Sequence, residues 1–369
     1  MKFINYYIND HKSFLNIFIR QSICYWEYIK ISYHCIIFKK KLNLFFDCSL
    51  SPSTYGDFFY FIIFKRIMDT LNIKVKLIIV KGKYRAGWPR LKKNNREKFL
   101  QEISNLYKHL TIKKSIVEII HFKKIKNYVY NYDTKNNYLV FNKRVSSKRP
   151  VYSYLNNLNN CFMNLNSDKV DNILLKKESF NFKIKNEKIL KNKNFITIGC
   201  RYTKKRKGKL GKSLKNLKEL KDFNNNDLIK TIKIIQKYFF NAKIILVSDV
   251  YGCKYYKKIL YKNKIKNCFV SKDFSNNYIG DGKLIAYSKI YIQFKSGGIG
   301  VFALFSKLPF IFAQKNILFN PIVYSKNKFA KWHSNNQIFM TDVISDSVFF
   351  NNLNKFLGKY SSNKINNNV

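Results

Sequence analysis

Apolar positions along this chain follow two alternating patterns. Short β-branched runs give way to polar loops, and these to stretches whose apolar residues recur every three or four positions. NLFFDCSL (43–50) predicts a strand, SPSTYGD (51–57) a loop, FFYFIIFKRIMDTLN (58–72) an amphipathic helix and KVKLIIVKG (74–82) a second strand. About forty residues holding β-α-β is the size of one parallel-sheet unit. The forty residues before it are rich in aromatics and predict one or two helices. From about 85 to 193 the periodicity weakens. SIVEII (115–120) and YLVFNK (138–143) read as strands, and the Asn- and Lys-rich stretch 155–194 as loop, surface helix and linker.

The alternation returns at Phe195. FITIGC (195–200), AKIILVSD (242–249), NCFVSKD (267–273), KIYIQF (289–294) and LPFIFA (308–313) predict strands. DLIKTIKIIQKYF (227–239), YKKILYKNK (256–264), residues 278–287 and a segment from about Ile299 predict the intervening helices, with Asp227 as an N-cap. Strands and helices in this order imply a doubly wound parallel sheet. The expected organisation is an N-terminal α/β domain over 1–190, a C-terminal α/β domain over 191–340, and a helix with a polar tail over 341–369. No internal repeat is evident.

Composition changes this picture little. Of 369 residues, 46% are hydrophobic, enough for sizeable cores. The formal net charge of +49 would ordinarily point to nucleic acid. Only nine of the 70 basic residues are Arg, however, and the other enriched types (Lys, Asn, Ile, Tyr, Phe) all have A/T-rich codons. A biased genome accounts for most of the charge, although attraction to anionic membrane surfaces or sugar phosphates remains a side effect. A nucleic-acid-binding protein using this basic surface is the alternative reading, and no specific nucleic-acid partner is expected. The seven scattered cysteines include no CxxC pair, and no window supplies an apolar leader or a membrane span. A cytoplasmic protein is expected, peripheral at the inner membrane face if its acceptor is lipid-linked.

Candidate chemistry gathers where strands end. QFKSGGIGVFALFSKLPFIFA (293–313) brings Ser296, Gly297, Gly298 and Gly300 to a helix start directly after a strand. Backbone N–H groups at such a start attract anions, and glycines let a diphosphate approach the main chain. The competing reading is a tight structural turn. Arg201 closes the first strand of the second half and either clamps a diphosphate or pairs with Asp249 as a surface charge. Asp249 and Asp281 either bond sugar hydroxyls or serve as turn and cap residues. In the first half Asp47, Ser49, Ser51, Thr54, Tyr55 and Asp57 surround a strand–helix junction, where Asp57 is a general base or a helix N-cap. His121 and His333 are read as incidental. GKLGKS (208–213) fails the phosphate-loop pattern, because Arg206 stands where its first glycine belongs. The chain lacks a DxD pair, so no metal–diphosphate site is indicated, and no cofactor is expected.

DCSLSPSTYGDFFYF (47–61), FITIGCRYTKKRKGK (195–209) and SGGIGVFALFSKLPFIF (296–312) together resemble GT-B glycosyltransferases, the last being similar to the donor-side element of heptosyltransferase-like proteins. The resemblance implies two Rossmann-like halves facing a central cleft. It also implies a nucleotide-sugar donor on the second half and a saccharide or lipid-linked acceptor on the first, with metal-independent transfer toward a cell-surface polysaccharide or glycolipid. Donor-binding residues would be Arg201, Asp249, Ser296, Gly297, Gly298 and Gly300. Acceptor-binding residues would be Ser51, Thr54, Tyr55 and Asp57. Asp57 and Arg201 would be catalytic.

Overall fold

The computed structural model describes residues 22–51, 55–84, 92–141, 152–165, 174–180, 183–186, 190, 194–200, 225–294, 299–313, 336–340 and 346–362. The chain divides into two compact units, Met1–Ile173 and Leu174–Val369.

The first unit holds a parallel sheet of β1 (Lys41–Asp47), β2 (Val75–Lys81), β3 (Ile116–His121) and β4 (Asn137–Phe141), in the order β3-β2-β1-β4. Its helices are α1 (22–31), which runs on into a π-helical turn over Ser32–Ile37, α2 (Tyr55–Thr70), α3 (Lys93–His109), the short α4 (Ile125–Tyr130) and α5 (Tyr152–Leu165). Strand residues alternate between two covered faces, which is why β1 and β2 read as near-continuous apolar runs. On one face Phe46 meets Phe58 and Phe61 of α2, with ring centroids 5.4 and 5.1 Å away. Phe162 of α5 in turn packs on Phe64 of α2 and Tyr28 of α1. On the other face Phe45, Ile78, Val80 and Ile120 lie beneath Phe122, Ile125 and Tyr128.

The second unit holds a six-stranded parallel sheet: β5 (Phe195–Gly199), β6 (Lys243–Val247), β7 (Cys268–Val270), β8 (Tyr291–Phe294), β9 (Phe310–Ala313) and β10 (Gln337–Met340). Its order, β10-β9-β8-β5-β6-β7, is 3-2-1-4-5-6 when counted from β5 as the first strand and read from β7 to β10. That is the doubly wound dinucleotide-fold order, with chain direction across the sheet reversing between β5 and β8. The helices are α6 (Asn225–Tyr238), α7 (Val250–Lys262), α8 (Tyr278–Tyr287), the one-turn α9 (Val301–Phe305) and α10 (Asp346–Ser362). Ile196, Ile198, Ile244, Leu246 and Ile292 face residues of α6, α7 and α10, whereas Phe195 and Ile245 face Leu284 of α8. The sheet is therefore covered on both sides, and α10 belongs to the core of this unit.

The nine expected strands form, with no end shifted by more than three residues. Four features differ from expectation. Residues 93–109, where the periodicity is weak, fold as a full helix, and 152–165 as a core helix with Tyr154, Leu155, Leu158 and Phe162 buried, where loop, surface helix and linker were expected over 155–194. β10 was not foreseen. Asp227 does not cap α6, which starts two residues earlier, at Asn225.

Candidate functional site

Ligands of doubly wound sheets bind outside the carboxyl ends of the strands, at the point where strand order reverses. In the second unit that point lies between β5 and β8, where Thr197 pairs with Tyr291, Ile198 with Ile292 and Gly199 with Gln293. The chain leaves β5 toward Arg201 and β8 toward Lys295–Gly298, so both expected donor segments depart from the same edge of two adjacent strands. Arg201, Ser296, Gly297 and Gly298 themselves lie outside the described residues.

The described floor of this edge is tightly built. Gln293 is fully buried and accepts a hydrogen bond from the Tyr291 hydroxyl. A β-carbon on Gly300 would sit 2.7 Å from Gln293 Oε1, and one on Gly199 would collide with the Tyr291 hydroxyl. Gly300 is thus required by close packing on Gln293, and α9 beyond it has only five residues, so any helix-dipole contribution there is small. Gly199→Ala is expected to cost about 1–3 kcal/mol of stability. Part of the loss should return in the Tyr291→Phe background, measured by denaturation as a double-mutant cycle. Strict additivity of the two changes would show that the hydroxyl is not the obstacle.

Asp249 follows β6 at the same edge and caps α7, its Oδ1 accepting from Gly252 N at 2.7 Å. Asp281 lies in the first turn of α8, 4% exposed and ion-paired with Lys272 Nζ at 2.5 Å. Burial pushes its carboxyl up to about 6, against the opposing pull of Lys272. A carboxyl raised in the folded chain favours folding fully below its ordinary value of 3.8, and that contribution is lost as pH rises through about 6. Wild type should therefore lose stability relative to Asp281→Asn across this window, by on the order of 1 kcal/mol per pH unit. Urea midpoints of both proteins from pH 4 to 7 check this, and a pH-independent difference would contradict it.

In the first unit the carboxyl edge of the sheet carries the expected junction. Asp47 ends β1; its Oδ1 accepts from Ser49 N at 2.7 Å and its carbonyl from Ser51 N at 2.7 Å. Ser51 is buried. Tyr55 opens α2, donates its hydroxyl to Glu102 of α3 and packs on Phe99 at 4.8 Å. Asp57 is the third residue of α2, inside the first turn instead of at the N-cap; its side chain and Thr54 lie outside the described residues.

The structure adds residues to this edge that the sequence reading passed over. Lys81 pairs with Glu97 at 3.2 Å, and Arg96 stacks 4.8 Å above the Tyr84 ring. Gly82 adopts φ +106°, and a β-carbon there would collide with the His121 ring, so His121 stands at the same edge. The spacing of Phe99, Leu100, Ile103, Leu106 and Tyr107 is the helical signal that would have placed Arg96 and Glu97.

No protein-family model matches the chain, and no curated protein does. Among solved structures it is similar to E. coli ADP-heptose LPS heptosyltransferase II, with 12% identity over 87% of this chain and 100% of that one, at a TM-score of 0.47. It is also similar to the glycosyl transferase family 9 protein of Veillonella parvula, with 11% identity over 87% and 97% of the two chains and a TM-score of 0.45. A third likeness is to the UDP-GlcNAc 2-epimerase of Methanocaldococcus jannaschii, with 11% identity over 88% and 93% and a TM-score of 0.38. The assignment of two parallel α/β units rests on the strand orders given above.

Proposed function

We propose that this chain is a glycosyltransferase that moves a sugar from a nucleotide-sugar donor to a saccharide or glycolipid acceptor of the cell surface without a metal. The observation that carries the reading is the pairing of β5 with β8 at the strand-order reversal of the second sheet. It starts the Arg201 segment and the Ser296–Gly300 segment side by side at the edge where such sheets bind phosphate-bearing ligands.

In this reading the second unit holds the donor. Arg201 and the backbone N–H groups of 296–300 take up the negative charge of the departing nucleoside diphosphate, and Asp249 bonds a donor hydroxyl. The first unit holds the acceptor through Ser51, Thr54 and Tyr55. The acceptor hydroxyl attacks the anomeric carbon, the bond from that carbon to the diphosphate oxygen breaks, and Asp57 accepts the hydroxyl proton. Catalysis is then chiefly positioning plus charge stabilisation.

A thermal-shift panel of UDP, GDP, ADP and their sugars tests the reading. A bound donor at 100 times its Kd adds about 2.7 kcal/mol of stability, so one nucleotide should raise Tm by several degrees. If none raises it, the donor site is lost from the proposal. Stabilisation without donor hydrolysis or transfer would leave a nucleotide-sugar-binding protein that is not an enzyme.

A further inference from the structure

Residues 22–37 form α1 and the π-helical turn that continues it. The inner side of this segment is Cys24, Glu27, Ile31 and Cys35, all buried and spaced three or four apart, as a packed helix face requires. The opposite side carries Tyr25, Trp26, Ile29, Tyr33, Ile36 and Ile37, each 37–65% exposed. At 3.6 residues per turn Tyr25, Trp26 and Ile29 fall within roughly 100° of arc on α1, and Tyr33, Ile36 and Ile37 extend the exposed surface along the π-helical turn. A surface helix ordinarily turns charged residues outward, and one that is apolar all round is an element covered on both sides. Among the described residues, the first unit covers only one.

Charge narrows what fits the other side. Between residues 22 and 41 the sole acid is Glu27, which is buried and accepts from the Tyr138 hydroxyl at 2.9 Å. Lys30 Nζ lies 5.4 Å over the Trp26 ring, and Lys39, Lys40 and Lys41 follow the segment in sequence. The surface is therefore aromatic and aliphatic at its centre and cationic at its margin. A second copy of the chain would bring like-charged margins together on molecules of formal charge +49, which opposes self-association there.

We propose that this face docks the protein onto an anionic lipid bilayer, with α1 lying in the plane of the headgroups. Ile29, Ile36 and Ile37 enter the acyl boundary, and Trp26, Tyr25 and Tyr33 keep their polar edges at headgroup level. The lysines meet anionic headgroups, each within a Debye length of the surface. The inference does not depend on the transferase reading, since it concerns only the first unit and its surface.

The test uses the full chain with Trp88→Phe and Trp332→Phe, leaving Trp26 as the one tryptophan, and vesicles of phosphatidylcholine with about one third phosphatidylglycerol. Trp26 emission should shift to the blue and be quenched by brominated acyl chains. Flotation of the otherwise unmodified chain should fall at least about tenfold on Trp26→Ser/Ile37→Ser substitution, with Tm unchanged, and comparably in neutral vesicles. Equal flotation with neutral vesicles would overturn the anionic assignment. Unchanged Trp26 emission, or a double variant that floats like wild type, would overturn the docking face itself. Emission already blue-shifted before lipid is added, and unaltered by it, would show the face covered by this chain or by a second copy, and would equally overturn the proposal.

Discussion

Asp69→Ala is expected to remove about 3–5 kcal/mol from the stability of the first unit, because it strands a buried cation. Asp69 and Lys65 are 4% and 1% exposed and form an ion pair one turn apart on α2. The other carboxylate oxygen, Oδ2, accepts from Ile112 N and Lys113 N at 3.1 Å each. Burial draws the Lys65 ammonium below its ordinary range, and contact with Asp69 opposes that pull. Arg66 beside it, drawn down to about 10 by burial, donates to Leu110 O at 2.8 Å. One carboxylate thus neutralises Lys65 and pins the turn that leads into β3. Without it Lys65 keeps its desolvation cost and two backbone N–H groups lose their acceptor. Denaturant unfolding should show the loss, and Lys65→Met/Asp69→Leu should recover the share due to the stranded Lys65 ammonium but not that of the two N–H groups. A single-variant loss below about 1 kcal/mol would mean that water already serves these groups.

Arg201→Ala should weaken nucleoside diphosphate binding by roughly 1.5–3 kcal/mol, on the order of ten- to 150-fold in Kd. The position comes two residues after the end of β5, the strand that neighbours β8 at the reversal of strand order, and the proposed donor site assigns its guanidinium a bidentate bond to the diphosphate. Arg201→Lys should recover little, since an ammonium cannot bond bidentately. Calorimetric titration with the nucleotide that gives the largest thermal shift decides the matter. An unchanged affinity would take Arg201 out of the site while leaving the rest of the donor edge to be tested.

The legible parts of the chain were those where local pattern and burial agree. Strands such as β2 and β6 are short β-branched runs buried on both faces, and their length and β-branched content separate them from buried helical runs such as 58–64. Helix α8 was read to the residue, with Asn277 at its N-cap accepting from Gly280 N at 2.7 Å. The illegible parts were helices whose polar residues mask their core positions. Along α3, Gln101, Glu102, Ser104 and Asn105 fall between the buried Phe99, Ile103 and Leu106, and a polar run precedes them, so the region read as weakly periodic. In α5, Asn159 looks like loop chemistry, yet it is buried with its amide donating to Tyr60 O at 3.0 Å. Missing α3 also hid Arg96 and Glu97, and with them half of the first unit's carboxyl edge.

The sequence alone determined that the chain alternates short strands with helices, that its glycines and carboxylates cluster where strands end, and that no stretch is a membrane span. These are local consequences of periodicity and backbone preference, carried by a few neighbouring residues. Only tertiary structure decided which strands become neighbours. β5 and β8 lie some ninety residues apart in the chain, and their pairing at Gly199 and Gln293 puts two loops at one edge. Strand order depends on which apolar faces can be buried together, a property of the whole unit. The same holds for α1: sequence alone would turn the side that carries Glu27 outward, and only packing against the first unit, where Glu27 is buried, leaves the aromatic and aliphatic side exposed.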